Sequence, residues 1–300
     1  MNIAVRTQDR FVEVDGRRVR YLEEGSGVPA ILLHGSSLGS SADVFRRNLH
    51  ALAGHGIRAI AVDLPGFGKS EAADGSSAAL RKTFVLRFMD ALGLKQAALI
   101  GHSSAGGAVV SMGLAHPQRV SHVIILGTGS LLPPLETAAG KVGARGEAAQ
   151  ARLEDRMVRQ EPSLTDTRAL LEANLFHHEL ITPEELELRH QNSIGRCFEQ
   201  FVLRHAQAQE GGGPHPNPPP HAGEGTGGGT VPLWQRLTEL EMPLLLIYGR
   251  EDRARAAERA TLLHERYPEL DLHFAEGCKH LVPWDAAEQF HRLAVPFLTR

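Results

Sequence analysis

Three hundred residues, 42% of them hydrophobic, suffice for one large core or for one core with a smaller domain. A net charge of −3, with Lys and Arg scattered rather than gathered into a stripe, leaves no electrostatic footprint for nucleic acid. The opening MNIAVRTQDRFVEV carries charges where a secretory peptide needs an apolar core, no later run approaches the roughly 18 apolar residues of a membrane span, and Cys197 and Cys278 lack CxxC spacing. The expectation is a cytoplasmic protein with two buried thiols, no nucleic-acid partner and no membrane association, with self-association into a homo-oligomer left open.

In chain order, FVEVDGRRVRYL at 11–22 alternates around Asp15-Gly16, a pair that favours a tight hairpin turn, and predicts two antiparallel strands. Short apolar runs follow: AILL at 30–33, AIAV at 59–62, AALI at 97–100 and HVIIL at 122–126, separated by helical periodicity. Runs without alternation suit strands buried on both faces of a largely parallel sheet. Residues 1–129 therefore read as the first part of an α/β core. From 130 to 207 the patches LEDRMVRQ and TPEELELRHQ predict an inserted helical cap with no strand. Within 208–230, the run GGGPHPNPPPHAGEGTGGG at 211–229 has 13 Gly or Pro among 19 residues, too few apolar groups to offset ordering entropy, and predicts a disordered insert. Residues 231–300 resume the core with the strand LLLIY at 244–248, a helix at about 254–267, the strand ELDLHF at 269–274 and a closing helix at about 285–298.

GHSSAGG at 101–107, between the run AALI and the apolar helix-like AVVSMGLA, reads as strand, sharp turn and helix. Such a turn strains a serine and lifts its Oγ above the sheet, provided that the residues two before and two after are small. Ser103 has Gly101 and Ala105 there, whereas Ser104 has His102 and Gly106. Ser103 is the candidate nucleophile. It needs a base and an orienting acid, in the order Ser, Asp or Glu, His. Asp252 in GRED, directly after LLLIYG, is the acid, with Glu251 as its rival. His280 in GCKHLVPW is set apart from the other histidines, 16 in all, by its place after the last strand. Two backbone N–H groups for an oxyanion are expected from Ser104, at a helix start, and Ser36 in LLHGSS. GFGKS at 66–70 imitates the end of a phosphate loop, but Asp63 stands where its first glycine belongs. No metal site and no cofactor are expected.

LLHG, VDLPGFGKS, GHSS, HPQRV, GRED and CKH together resemble the α/β-hydrolase superfamily over nearly all the chain outside 211–229. The resemblance implies a mostly parallel twisted sheet with helices on both faces and an inserted helical cap. The spacing from Ser103 to His116-Pro117 matches that family's usual elbow-to-HP-x-RV distance. Dehalogenases and epoxide hydrolases of this superfamily use an Asp nucleophile, which Ser103 sets aside.

NLFHHELITPEELELRHQNSI and EGCKHLVPWDAAEQFHRLAVPFL resemble the meta-cleavage product hydrolases, which break a carbon–carbon bond in vinylogous diketo acids from aromatic ring fission, without a cofactor. The resemblance implies that the dienol ketonises and that Ser103, or a water activated by His280, attacks the distal carbonyl. It also implies that Arg196 in SIGRCF meets the substrate carboxylate, for which a guanidinium fork is suited, and that Trp284 lines the substrate site. Gly195 separates Arg196 from the Ser-Ile pair, and His102 and Leu281 stand where these enzymes commonly have Asn and Trp. A carboxylesterase acting on small acyl esters would use the same triad. A catalytically silent binding module on this fold is the remaining alternative, and the presence of all three triad residues argues against it.

Overall fold

The opening hairpin turns through Asp15 and Gly16, both at positive φ (50° and 73°), joining β1 (Arg10–Val14) to β2 (Arg17–Glu24). This computed structural model describes residues 7–72, 77–137, 140–142, 156–210 and 231–300. The remaining strands of the main sheet are β3 (Val28–Leu33), β4 (Ile57–Val62), β5 (Ala97–His102), β6 (Val120–Leu126), β9 (Leu244–Gly249) and β10 (Asp271–Ala275). Their order is β1-β2-β4-β3-β5-β6-β9-β10, parallel from β4 onward, with β2 antiparallel to both β1 and β4.

The apolar runs divide their side chains between two cores, as strands covered on both faces must. Ile31, Leu33, Leu99, Ile125, Leu246 and Tyr248 join one core, with Phe88 of α2 (Ser77–Ala91) and Val109 of α3 (Ala105–Ala115). Their neighbours Ala30, Leu32, Ile100, Ile124 and Leu245 join the other, with Leu49 of α1 (Arg46–Ala53) and Phe290 and Phe297 of the C-terminal helix (Ala287–Leu298). Helices thus lie on both faces. Among the described residues no helix is long and apolar enough to cross a membrane.

The cap contributes α4 (Leu164–Asn174), α5 (Pro183–Gln191) and α6 (Arg196–Glu210). Ser163 starts α4 with a reciprocal capping box, its Oγ accepting from Asp166 N at 3.2 Å while the Asp166 carboxylate accepts from Ser163 N at 3.0 Å. Thr182 caps α5, with Pro183 in its first turn. One expectation is corrected here: the cap region contains strands, since β7 (Leu135–Thr137) pairs antiparallel with β8 (Gly140–Val142). Three-residue strands are too short for alternation to appear in the sequence. Helix α6 runs to Glu210, three residues past the expected cap end at 207, and the Gly/Pro-rich segment expected at 211–229 lies outside the described residues.

Two of the joints that hold the cap to the core involve the segment after β3. Leu38, from the loop after β3, is buried with Met157, Leu170 and Phe201 of the cap. Asn192, just beyond α5, donates to Ser41 Oγ at 3.1 Å and Asp43 Oδ2 at 3.2 Å. Asp43 also belongs to a buried ion cluster in which fully buried Arg20 binds Asp43 and Asp63 and reaches Asp9.

Candidate active site

Strand β5 ends at His102, α3 begins at Ala105, and Ser103 between them has φ 55°. A non-glycine residue in this left-handed region is strained, and the structure over-determines it. Ser103 N donates to Leu126 O at 2.9 Å, and Ser103 O accepts from Thr128 Oγ1 at 2.7 Å and from Gly106 N at 3.1 Å. Any Cβ on Gly101 would lie 2.8 Å from Gly106 Cα, so strand and helix cross only because that residue is bare. The methyl of Ala105, on the other side, is buried without displacing the turn. Ser104 has ordinary helical angles (φ −60°, ψ −19°) and opens α3.

The ring of His280 meets Ser103 rather than Ser104, with Nε2 2.9 Å from Ser103 Oγ. Its Nδ1 is 3.0 Å from Asp252 Oδ2. A carboxylate can only accept, so Nδ1 carries the proton and Nε2 is left to accept from the serine hydroxyl. Asp252 lies three residues past the end of β9, and its Oδ1 accepts from Arg253 N at 2.7 Å. Burial works to raise the Asp252 carboxyl, but the adjoining His280 and Arg253 bring it below the usual carboxylate range. Glu251 faces elsewhere: its carboxylate accepts from Cys278 N at 2.8 Å and its N–H donates to Cys278 O, which clamps the loop leading to His280. Gly127, at φ 59°, passes under this pair, where a Cβ would sit 3.2 Å from His280 O and 3.7 Å from Asp252 Oδ2.

The loop after β3 presses on the serine. A Cβ on Gly35 would lie 2.9 Å from Ser103 Cβ and 3.2 Å from its Oγ, so Ser36, the next residue, is beside the candidate nucleophile and buried. His34 locks this loop: its Nε2 accepts from Leu64 N at 3.0 Å, which leaves Nδ1–H to donate to Gly35 O at 2.7 Å. Its ring also packs edge-on to Phe67, centroids 4.9 Å apart.

Arg196 and Trp284 sit differently from Ser103, Asp252, His280, Ser104 and Ser36. The Arg196 fork is engaged by backbone, Nη1 donating to Ser70 O at 2.6 Å and Nη2 to Gly68 O at 2.9 Å, and the residue is exposed. One and two turns further along α6, Gln200 and Arg204 lie against Gly66, and the Arg204 guanidinium stacks over Phe67 at 4.0 Å. The 66–70 loop is therefore fastened by a stripe of α6. Trp284, on the single helical turn Val282–Asp285, is buried in the core and donates from Nε1 to Val44 O at 2.9 Å.

Several neighbours of the site were not among the residues that the sequence singles out. Thr128 ties the elbow to the strand beyond it, donating to Ser103 O while its own carbonyl accepts from Tyr248 OH at 3.3 Å. Arg189 of α5 lies against Gly39 in the Ser36 loop, its Nε 2.8 Å from where a Gly39 Cβ would be. Asn174, at the end of α4, reaches the His280 loop. Only Gly127-Thr128, directly after HVIIL, had a legible position, at a strand end beside the elbow.

A strained serine above a parallel sheet, hydrogen-bonded to a histidine that a buried aspartate orients, defines the class: a serine hydrolase. Residues 30–293 match the model of the Alpha/beta hydrolase family. The chain is 31% identical over 293 residues to a 2-hydroxy-6-oxononadienedioate/2-hydroxy-6-oxononatrienedioate hydrolase of Burkholderia vietnamiensis (strain G4 / LMG 22486), covering 94% of this chain and 91% of that one. It is 29% identical to a 2-hydroxy-6-oxo-6-phenylhexa-2,4-dienoate hydrolase of Burkholderia cepacia, covering 97% and 96%. The solved structure of a meta-cleavage product hydrolase from Pseudomonas fluorescens IP01 has the same fold, with a TM-score of 0.71 at 23% identity and 97% of each chain covered. The chain belongs to the alpha/beta hydrolase family and, within it, to the meta-cleavage product hydrolases, which cleave carbon–carbon bonds.

Proposed function

We propose that this enzyme hydrolyses the carbon–carbon bond beside the C6 carbonyl of a 2-hydroxy-6-oxo-dienoate through Ser103, His280 and Asp252. Ketonisation of the dienol first turns C5 into a leaving carbon, because the C2 carbonyl can then receive its electrons through the intervening double bond. Ser103, or a water in its place, adds to C6 as His280 Nε2 takes the proton and Asp252 steadies the imidazolium. Backbone N–H groups of Ser36 and Ser104 face the oxyanion. Collapse breaks C5–C6, its electrons pass through the C3–C4 double bond to the C2 oxygen, that oxygen takes the proton from His280, and the products are the acyl group, as acid or as Ser103 ester, and a 2-hydroxypentadienoate. If Ser103 was acylated, the one water of the reaction enters at this stage and hydrolyses the ester to release the acid.

The observation that carries this reading is the His280 Nε2 to Ser103 Oγ distance of 2.9 Å, within a chain that aligns over 94% of its length with a dienedioate hydrolase. The substrate carboxylate needs a cation. Arg196 serves only by leaving Gly68 and Ser70, whereas Arg189 already lies against the Ser36 loop. A cytoplasmic location fits two free, buried thiols.

The test is a comparison of kcat/KM for 2-hydroxy-6-oxo-6-phenylhexa-2,4-dienoate and 2-hydroxy-6-oxononadienedioate, followed by loss of dienolate absorbance, with that for p-nitrophenyl acetate. The reading requires a diketo acid to be the better substrate. Efficient ester cleavage with no turnover of either acid would assign a carboxylesterase instead.

A further inference from the structure

The backbone of His280 is held at both ends by groups outside its own loop. Its carbonyl accepts from His102 Nε2 at 3.0 Å. Its N–H donates to the carbonyl of Asn174 at 3.1 Å, and Leu281 N donates to the same oxygen at 3.2 Å. Asn174 is the last residue of α4 and belongs to the cap, where its buried side chain has two further duties. Nδ2 donates to Leu170 O at 2.7 Å, one turn back, and Oδ1 accepts from the Arg253 guanidinium. Arg253 is the neighbour of Asp252 and donates its N–H to that carboxylate. One cap residue therefore touches the loop of the base and the residue that flanks the acid.

We propose that Asn174 is a positioning residue for the Ser103–His280–Asp252 series, so that the cap completes the triad as well as covering it. The proposal rests on the catalytic reading above and deepens it. The geometry around it is consistent with a fixed corner. Lys279 Nζ donates to Glu172 O at 3.2 Å, and the Asp285 carboxylate accepts from Phe176 N, His177 N and Lys279 N at 2.8 to 3.0 Å. Residues 172–177 of the cap and 279–285 of the core are thus laced together by the Lys279 ammonium and the Asp285 carboxylate, each bound to backbone of the cap.

The side chain of Asn174 is the part that sequence can change. Any residue supplies the carbonyl for His280 N, but only an amide or carboxylate of this length can hold Arg253 while its backbone holds the base. Without that bond the guanidinium loses one of the holds that keep it beside Asp252, and the Asp252–His280 hydrogen bond loses one of its supports. Errors of about 1 Å in such constellations cost up to roughly 100-fold in rate.

The experiment measures, for wild type, Asn174→Ala, Asn174→Asp, Arg253→Met and the Asn174→Ala/Arg253→Met pair, kcat and KM on the best diketo acid or ester, together with the second-order rate of Ser103 labelling by a fluorophosphonate. The expected result is a fall of about 10- to 100-fold in both kcat and labelling rate for Asn174→Ala, with KM within about twofold. Asn174→Asp, which keeps an oxygen for Arg253, should recover most of the loss, and the double variant should be no worse than the worse single one. A raised KM with unchanged labelling would overturn the proposal, as would additive losses in the double variant. If Asn174→Ala does not fold, Arg253→Met carries the test: it must lower the labelling rate without raising KM. Labelling needs no diketo acid, so failure of the carbon–carbon assignment leaves it readable, and a Ser103→Ala control that still labels would instead remove the triad reading.

Discussion

The ring of His102 lies 5.1 Å from that of His280, and the two are tied by a bond from His102 Nε2 to the carbonyl behind the other ring. Burial first, and the neighbouring His280 second, hold the His102 ring down to about 3 from an ordinary value of 6.5. It is neutral wherever the enzyme works, so its Nδ1 accepts and only Nε2 donates. The unfolded chain takes up this proton first as the pH falls, so stability must drop below about pH 6.5 and continue to drop toward the folded value. At pH 5 the cost is roughly 2 kcal/mol. Asp63, which burial pushes up to about 6, acts in the opposite sense over the same range. His102→Asn keeps a donor for His280 O and removes only the titrating ring. Urea unfolding at pH 7 and pH 5 should therefore show the variant losing about 2 kcal/mol less than wild type on acidification. Equal losses would mean that His102 is protonated in the folded enzyme.

Ser103 and Ser104 are adjacent, yet only one should matter for chemistry. Ser103→Ala is expected to lower turnover on the order of 10⁴-fold, leaving the contribution of oxyanion donors and binding. Ser104→Ala should keep most of the activity, because the amide assigned to it survives the substitution. Steady-state rates on one diketo acid, with circular dichroism to show that both variants fold, decide this. A dead Ser104→Ala enzyme beside an active Ser103→Ala one would invert the assignment.

The sheet was legible because its strands are covered twice: Ala30 and Leu32 face one core, Ile31 and Leu33 the other, and an unbroken apolar run results. Ser103, Asp252 and His280 could be selected because each follows closely on a strand, and Gly101 marked the tight crossing. Their partners were illegible for a physical reason. Arg196 is bound to the carbonyls of Gly68 and Ser70, and Trp284 to that of Val44; a carbonyl is the same at every residue, so no side chain announces the acceptor. Asn174 and His280 meet across 106 positions through backbone atoms alone. The two short strands after Leu132 were missed because three residues hold no period.

Arg20 is fully buried among Asp43, Asp63 and, at the margin, Asp9. Asp43 is held well below the usual carboxylate range because its bonds to Arg20 and Arg46 outweigh burial. Arg20→Met would leave two buried carboxylates without their shared cation, and removal of one member of such a cluster costs about 3 to 5 kcal/mol. Because Asn192 docks the cap on Asp43, thermal unfolding of the variant should also be broader than that of the wild type. A change below about 1 kcal/mol would show that the cluster contributes no more than an exposed pair does.

The cap arginines separate the two chemistries open to this triad. A diketo acid carries a carboxylate several atoms from the scissile bond, and a partly desolvated bidentate contact to it contributes about 1.5 to 3 kcal/mol, roughly 10- to 150-fold. p-Nitrophenyl acetate has no such group. Whichever arginine meets the carboxylate should, on replacement by Gln, depress kcat/KM for the acid by that factor and leave the ester unchanged. Arg189, beside the loop of Ser36, is expected to behave this way. Arg196, with its fork on Gly68 and Ser70, is expected to affect acid and ester alike, because Gln cannot span both carbonyls and the 66–70 loop would loosen for any substrate. The reverse pattern, an acid-selective loss at Arg196 and none at Arg189, would show that Arg196 leaves the loop when substrate enters and would restore to it the role that the family resemblance implies, despite the Gly195 that separates it from Ser193-Ile194. Selective loss at neither would mean that the carboxylate is bound by some other group, and the search would move to the remaining cations around the Ser36 loop.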